Sequence, residues 1–290
     1  MRSARFFALA CVAGLAAASA QAIDFGSIIN KAIDTGRQLN EASHEFTPEE
    51  EVALGDGLAA GFLGAAPLRK DPALQRYVNR VGKWLAMHSE RPDLPWTFGV
   101  VDTETVNAFA MPGGTVLVTY GLVKRLSSEA ELAGALAHEI AHVVKKHQLQ
   151  AIQSDKSSEA WANLGKGLAS DAIARRGSDP VGLKNWGASA GVELLKNGVF
   201  LRPLDRSMEY EADKLGVVIA ARSGYDPYGL VAVLEMLAQT KSDGSGLSVL
   251  DTHPAPADRL AELESFMPLV ERGAARPQQV QARFRKIVGP

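Results

Sequence analysis

Cysteine, net charge and long apolar runs are all scarce in this sequence, and each scarcity excludes a class of protein. The 290 residues contain one cysteine, Cys11, so neither a disulfide framework nor a zinc site built from thiolates is possible. The formal net charge of -2 provides no basic field, and no nucleic-acid partner is expected. Beyond the amino terminus, no segment has the apolar length of a membrane span. The remaining composition is ordinary, with 46% hydrophobic residues, enough to bury one sizeable core.

The first residues of the chain have the layout of an export signal. Two arginines precede a short apolar run, and small residues ending at Ala20 or Ala22 offer cleavage sites. We therefore expect a signal peptide at 1–22, a polar lead-in at 23–45 and a mature protein in the periplasm. An uncleaved membrane anchor and lipidation of Cys11 are the alternatives.

Two helix starts follow the lead-in, and both combine a capping residue with a proline. Thr47 is the predicted cap of the first helix, with Pro48 at the first helical position and Glu50 three residues after the cap. Asp71 and Pro72 repeat the device for the second helix.

Hydrophobic periodicity then predicts the fold class and the division of the chain. Apolar alternation indicates three strands between residues 96 and 120, and helical periodicity dominates elsewhere, so we expect a mostly helical α+β fold with a small sheet. One domain is predicted over 46–267. Within it, the Gly- and Ala-rich stretch 151–203 is interpreted as a lid over a cleft, with plain helical packing as the alternative. The basic C-terminal tail, 268–290, is expected to be loosely ordered.

The segment ALAHEIAHVVKKH places two histidines one helical turn apart inside an apolar run. Residues i and i+4 share a helix face, so His138 and His142 can present both imidazoles to one zinc ion at ~2.0–2.1 Å per nitrogen. Glu139 lies about 100° round the helix and can reach a water at that point without being a ligand. Two ordinary helix histidines are the alternative interpretation.

An extended form of this motif is absent from the sequence. One class of zinc enzymes carries a glycine and a further histidine at the positions that Lys145 and Gln148 occupy here, so that class is excluded. His147 is displaced by one residue and is predicted on a different helix face. A carboxylate further along the chain is left as the third ligand.

The segment RSMEYEAD offers that carboxylate. Glu209 and Asp213 share a helix face at i,i+4, and Arg206 lies beside them at i−3. We assign Glu209 as the third zinc ligand and Asp213 as the carboxylate that orients a ligand histidine through its free ring N–H, with Arg206 supporting the ligands from the same helix. An acidic, solvated helix face is the alternative.

Taken together, these motifs resemble those of the M48 family of zinc metallopeptidases. The segment 209–213 is similar to the family's E-x-x-A-D pattern, Arg206 matches its preceding arginine, and THPAPADRL resembles its H-P-x-x-x-x-R motif. The resemblance covers about residues 46–265 and is greatest to the soluble, periplasmic LoiP- and BepA-like branch, without a tetratricopeptide-repeat domain. It implies a zincin-like (gluzincin) fold with a small β-sheet beside the active-site helix, and one Zn2+ per chain.

The resemblance also implies further site residues. It places His253 at the active site, and we take this residue as the catalytic donor of a hydrogen bond to the oxyanion, with occupation of the fourth zinc position and a plain helix-entry residue as the alternatives. The segment NAFAMPGG is similar to a family segment upstream of the HExxH motif. We expect it to form an edge strand that binds extended substrate through backbone hydrogen bonds, with a plain core hairpin as the alternative. Its substrate-binding residues would be Asn107, Ala108, Phe109 and Ala110.

The resemblance and the export signal together imply a zinc-dependent metalloendopeptidase that hydrolyses misfolded or unfolded envelope proteins. Its partners would be unfolded protein chains, with outer-membrane assembly machinery or the membrane surface as further contacts, and peripheral attachment to the outer membrane as a variant of the periplasmic location. A chaperone-like binder that keeps the zinc fold without hydrolysis is one alternative. A membrane-held processing protease with a single substrate is another.

Overall fold

The computed structural model describes residues 46–154, 203–240, 249, 253–271 and 281–289. In this part of the chain the helices are α1 (Pro48–Ala65), α2 (Pro72–Ala86), α3 (Tyr120–Val123), α4 (Glu129–Val144), α5 (His147–Ser154), α6 (Arg206–Arg222), α7 (Tyr228–Ala238), α8 (Pro256–Glu264), α9 (Met267–Glu271) and α10 (Gln281–Val288). The strands are β1 (Thr97–Val101), β2 (Ala108–Met111) and β3 (Thr115–Thr119). The predicted α+β class, mostly helical with a small sheet, is confirmed.

The first two helices begin where the sequence predicts. The side-chain oxygen of Thr47 accepts a hydrogen bond from the Glu50 N–H at 3.3 Å, and the Glu50 carboxylate accepts one from the Thr47 N–H at 2.8 Å. The Asp71 carboxylate accepts hydrogen bonds from the N–H groups of Ala73 and Leu74, both at 3.0 Å. These bonds satisfy backbone donors that a helix start otherwise leaves unpaired.

The three strands form one mixed sheet in the order β1-β3-β2. Strand β1 runs parallel to β3, with Phe98 opposite Val116, and β2 runs antiparallel to β3, with Ala110 opposite the same residue. The tight turn between β2 and β3 requires Gly113, whose φ is 78° and whose added Cβ would lie 2.6 Å from the Val52 Cα. Among the described residues, β2 is therefore an edge strand.

The side chains of β2 alternate between the two faces of the sheet, and both faces are buried. Ala108 and Ala110 join the core that surrounds α4, whereas Phe109 and Met111 join a second cluster against α1. The rings of Phe109 and Phe62 from α1 lie 4.6 Å apart between centroids. Helices α1 and α4 thus cover opposite faces, and the small sheet lies beside α4, as the fold prediction requires.

Close approach between helices brings α6 and α7 against α4. A Cβ added at Gly216 of α6 would lie 3.0 Å from the His138 backbone nitrogen. A Cβ added at Gly134 of α4 would lie 2.5 Å from the Leu230 backbone nitrogen. Glycine at these contacts removes the side chain that would otherwise hold the helix axes apart, so α6 carries its acidic residues directly up to the HExxH motif.

Helix α10 docks beside the start of α4, so the expectation of a loosely ordered tail is wrong for these residues. Phe284 is 1% exposed, and its ring centroid lies 6.5 Å from that of Tyr77. Arg283 pairs with the fully buried carboxylate of Glu129, which also accepts hydrogen bonds from the hydroxyls of Tyr77 at 2.6 Å and Tyr225 at 2.8 Å. The buried ring of Phe284 and the ion pair of Arg283 with Glu129 therefore hold α10 against the core, although the segment is mostly polar.

Several sequence-based expectations concern parts of the chain outside the described residues. The signal peptide at 1–22, the lead-in at 23–45 and most of the 151–203 stretch fall there. Within the described ranges, no helix combines the length and the apolar character needed to span a bilayer.

Candidate metal centre

The HExxH motif lies on α4, a helix capped by Ser128, whose side-chain oxygen accepts a hydrogen bond from the Glu131 N–H at 3.1 Å. His138 and His142 stand one turn apart on this helix and are 4% and 1% exposed. Their Nε2 atoms lie 3.0 Å apart. The i,i+4 spacing therefore brings two imidazole nitrogens to a single point, as the sequence predicts.

Helix α6 brings Glu209 to the same point. Its carboxylate oxygens lie 3.7 Å from the His138 Nε2 and 3.5 Å from the His142 Nε2. The Nε2 of His253 lies 3.8 Å from the nearer Glu209 oxygen. One donor atom from each of these four residues lies within 4.8 Å of all the others. Residues far apart in sequence thus form one compact set of metal-binding atoms.

The buried carboxylate of Glu209 has a requirement that the described residues do not meet. The residue is 0% exposed, yet within the described part of the chain neither of its oxygens accepts a hydrogen bond. Burial raises the pKa of Glu209 well above its usual value, because a charge is costly away from water, although Arg259 lies 3.7 Å from one of its oxygens. A divalent cation between Glu209 and the imidazoles would satisfy this carboxylate.

The protonation of the histidines also suits a cation. Burial, together with neighbouring positive charge, lowers the pKa values of His138 and His142, so both imidazoles are neutral near pH 7 and can each offer a nitrogen lone pair. Two imidazole nitrogens with one carboxylate oxygen are a donor set that Zn2+ takes in catalytic sites, where three protein ligands leave one position open. The residues present therefore fit the metal that the sequence predicts.

Asp213 and Arg259 fix the outer side of His138. An Asp213 oxygen lies 2.9 Å from the His138 Nδ1, and the Arg259 guanidinium donates to both Asp213 oxygens at 2.6 and 2.8 Å. Although burial alone would raise it, the charge of Arg259 and its hydrogen bonds hold the pKa of Asp213 below its usual range. Asp213 stays ionised, accepts the Nδ1–H of His138, and leaves the Nε2 of that ring free of a proton.

The structure places Arg206 away from this group. Its side chain is 72% exposed and pairs with Asp258 at 3.4 Å, whereas Arg259 lies against Asp213 in the core. Sequence reasoning took the arginine nearest in sequence, because Arg206 is three residues before Glu209 on the same helix. The available signal for Arg259 was its place as the arginine of the H-P-x-x-x-x-R motif.

Glu139 is 4% exposed and lines an apolar cleft beside the cluster. The cleft is bordered by His138, His253 and Arg259, and by side chains of α7 such as Leu234. Burial raises the pKa of Glu139 to about 8, which is suited to taking up and releasing a proton near neutral pH.

Strand β2 borders this cleft at one end only. Asn107 and Ala108 line it, while the side chain of Phe109 points to the opposite face of the sheet and Ala110 lies in the core around α4. The backbone of β2 remains on the edge of the sheet among the described residues. Three of the four predicted substrate-binding residues therefore lie in β2 and Asn107 directly precedes it, but only Asn107 and Ala108 line the cleft.

His147 is a further contact that the sequence reasoning did not find. Its Nδ1 lies 2.9 Å from the Nδ1 of His142. The prediction continued the helix past Val144, which put His147 on another face, but α4 ends there and α5 begins at His147. Lys146 interrupts the helix with a φ of 58°. This left-handed conformation is usually marked by a glycine in the sequence, and here the residue is a lysine.

Comparison with known proteins relates this arrangement to curated relatives. The chain is 31% identical to the beta-barrel assembly-enhancing protease of Escherichia coli (strain K12) over 237 residues, which cover 80% of this chain and 46% of that protein. It is 32% identical to the protein of the same name from Yersinia pestis over 218 residues, covering 74% and 43% of the two chains. It is also 30% identical to mitochondrial metalloendopeptidase OMA1 of Schizosaccharomyces pombe over 193 residues, covering 66% and 52%.

The chain thus spans about half the length of the curated relatives it matches. Residues 72–267 match peptidase family M48, a range that includes the HExxH helix, Glu209, His253 and Arg259. The family inferred from the sequence motifs is confirmed by this match and by the identity to the relatives. The chain belongs to peptidase family M48.

Proposed function

We propose that this protein is a zinc-dependent metalloendopeptidase. The observation that carries the proposal is the convergence of two neutral imidazoles with the buried carboxylate of Glu209 from another helix, which accepts no hydrogen bond among the described residues. Relatives named as a protease and as a metalloendopeptidase support the same activity. Intact Glu139 in the adjoining cleft supplies the acid–base group that peptide hydrolysis needs.

His138, His142 and Glu209 would hold the zinc ion. Zinc supplies Lewis-acid chemistry that makes a water molecule nucleophilic near neutral pH. Asp213 keeps the Nδ1 proton on His138 and so directs the Nε2 lone pair of that ring into the cluster. The apolar walls of the cleft exclude bulk water and strengthen the interactions of charges within it.

Glu139 would move the proton of the reaction. As a carboxylate it accepts a proton from the attacking water, and as a carboxylic acid it donates that proton to the amine nitrogen that leaves. Glu139 directly follows the candidate ligand His138 in sequence, and both residues line the same cleft.

His253 has two roles open to it, and the geometry favours one. Its Nε2 is 3.8 Å from a Glu209 oxygen, nearly as close as the Nε2 atoms of the other two histidines, which supports a role as fourth ligand that restrains activity. We therefore expect His253→Ala to raise turnover of an unfolded substrate. Lower turnover at unchanged zinc content would instead identify His253 as the donor to the developing oxyanion.

The proposed substrates are unfolded or misfolded chains, bound along β2 through their backbone. An extended peptide can add to an edge strand by main-chain hydrogen bonds, which reads chain conformation more than sequence. The residues that would take part are Asn107, Ala108, Phe109 and Ala110. Most backbone groups of a folded protein are already paired in its own helices and sheets, so this mode of binding favours unfolded chains.

The proposed setting is the bacterial envelope. The amino-terminal sequence has the pattern of an export signal, which favours the periplasm, with peripheral attachment to the outer membrane as a further feature. The relatives' name, beta-barrel assembly-enhancing protease, supports protein quality control there and outer-membrane assembly machinery as a partner.

The test compares the wild type with Glu139→Gln on an unfolded substrate such as casein, with zinc content measured on both. We expect equal zinc content and a loss of at least about 100-fold in cleavage rate, because the variant cannot accept the proton. A zinc-loaded wild type that cleaves no unfolded substrate would support the chaperone-like binder instead. Cleavage of a single native substrate only would support the membrane-held processing protease.

A further inference from the structure

A row of polar side chains lies behind His142, on the side away from the candidate ligand atoms. The Nδ1 of His142 is 2.9 Å from the Nδ1 of His147, and the Nε2 of His147 is 3.1 Å from a Glu211 oxygen. The other Glu211 oxygen accepts a hydrogen bond from the Lys145 ammonium at 2.6 Å. His147 is 1% exposed, so water does not compete for its ring nitrogens.

Metal binding through the His142 Nε2 is compatible with one arrangement of protons along this row. A carboxylate only accepts hydrogen bonds, so Glu211 receives one from Lys145 and one from the Nε2–H of His147. When the Nε2 of His142 is left free for a metal ion, the proton between the two rings belongs to the Nδ1 of His142, and the Nδ1 of His147 accepts it at 2.9 Å. A neutral imidazole carries one proton, so the Nε2 of His142 keeps its lone pair.

We propose that His147 is a positioning residue that fixes the tautomer and the ring orientation of His142 for metal binding. The Nε2 that this tautomer leaves bare is the atom that lies 3.0 Å from the His138 Nε2 and 3.5 Å from Glu209. Glu211, in turn, fixes His147. Outer partners of this kind raise the basicity of a ligand imidazole and hold its ring plane, and their loss weakens metal affinity by about 10–100-fold.

The local path of the chain supports this role, because it turns His147 back towards α4. Helix α4 ends at Val144, Lys146 adopts a φ of 58°, and α5 begins with His147. The left-handed conformation costs conformational energy in a lysine, because its Cβ comes too close to the backbone. That cost is retained at the one residue whose conformation sets the direction from which the His147 ring meets His142.

The experiment measures zinc affinity by chelator competition on the full-length mature protein, in the wild type and in matched variants. His147→Leu removes both ring nitrogens, whereas His147→Asn keeps an acceptor oxygen close to the place of Nδ1. His88→Leu, the same change at a histidine outside the cluster, is the control. We expect zinc affinity to fall at least 10-fold in His147→Leu, to stay within about threefold of the wild type in His147→Asn, and to be unchanged in the control.

A melting curve of each metal-free variant separates this role from a general loss of folding. If His147→Leu does not fold, Glu211→Ala decides, since its side chain is 20% exposed and its loss should weaken zinc binding in the same direction. Wild-type affinity in a folded His147→Leu, or no rescue by asparagine, overturns the inference while leaving the proposed function intact. Absence of zinc binding by the wild type overturns both.

Discussion

The two candidate ligand histidines are held in different ways, although each needs the same tautomer. His138 donates to Asp213, a carboxylate that is 1% exposed and is neutralised by an equally buried Arg259. His142 instead faces the ring of His147, and the charged pair of Lys145 and Glu211 behind that ring is 14% and 20% exposed.

Because of this difference, the free-energy cost of burying charge falls mainly on the His138 side of the site. A buried ion pair is stable only while both partners are present, because either charge alone is expensive away from water. Near His138 the fold depends on such a pair. Near His142 the ring of His147 separates the ligand from the pair of Lys145 and Glu211, and this ion pair lies closer to solvent. Substitutions beside His138 and beside His142 should therefore lower the free energy of unfolding by unequal amounts.

The largest effect is expected from Arg259→Met, which leaves Asp213 charged, buried and without its cation. The free energy of unfolding of the metal-free protein should fall by about 3–5 kcal/mol. Lys145→Met is the matched control on the other side, with an expected loss of about 1 kcal/mol or less, because its pair with Glu211 is partly solvated. Urea denaturation at pH 7 measures both. Equal losses would remove the proposed contrast.

An intermediate effect is expected from Gly216→Val, which acts on both sides at once. Its Cβ would lie 3.0 Å from the His138 nitrogen and 3.1 Å from the His138 Cα, so α6 must shift and carry Glu209, Glu211 and Asp213 with it. We expect a loss of about 1–3 kcal/mol in unfolding free energy and weaker zinc binding.

Gly64→Ala is the matched control for that substitution. Nothing lies within 4 Å of the Cβ that it adds, and it lies inside α1, so it should stabilise the protein by about 0.5–1 kcal/mol through helix propensity. Unchanged zinc affinity in Gly216→Val would show that contact between α4 and α6 does not set the ligand geometry.

The smallest effect is expected at Lys146, and it has the opposite sign. Lys146→Gly removes the strain of a left-handed lysine, so the unfolding free energy should rise by about 0.5–1 kcal/mol, with zinc affinity unchanged. Lys146→Ala retains the Cβ and the strain, and serves as the control with no gain. The midpoint of urea denaturation distinguishes them. A destabilised glycine variant would mean that the lysine side chain, not its backbone, is needed at the break.

Features that depend on neighbouring residues were predictable from the sequence. The caps at Thr47 and Asp71 use side chains within three residues of their targets, and the strand and helix periods reflect burial along one element. The pairing of His138 with His142 is equally local, since one helical turn fixes it. For these features, the spacing of residues along one helix or strand is enough to determine the geometry.

Features that depend on contact between distant elements were predicted incompletely. The approach of Glu209 to the histidines could be inferred only because the segment RSMEYEAD has a recognisable spacing, with Glu209 and Asp213 on one helix face. Arg259 and His147 could not be assigned, because one arrives on α8 from a distant part of the chain and the other depends on a left-handed lysine. The choice of Arg206 shows the limit plainly, since proximity along one helix gave a partner that the fold turns to solvent.

The anchoring of α10 has a practical consequence for anyone cutting this chain into a smaller fragment. The part that matches the family stops at residue 267, yet the guanidinium that neutralises the buried Glu129 comes from Arg283. A fragment trimmed to that boundary would leave this carboxylate with two phenol hydroxyls and open the site that Phe284 fills. Because Glu129 lies in the first turn of the helix that carries His138, such trimming would disturb this helix at the end opposite to the candidate metal ligands. The range that matches the family therefore ends before α10, a helix that packs against the described core.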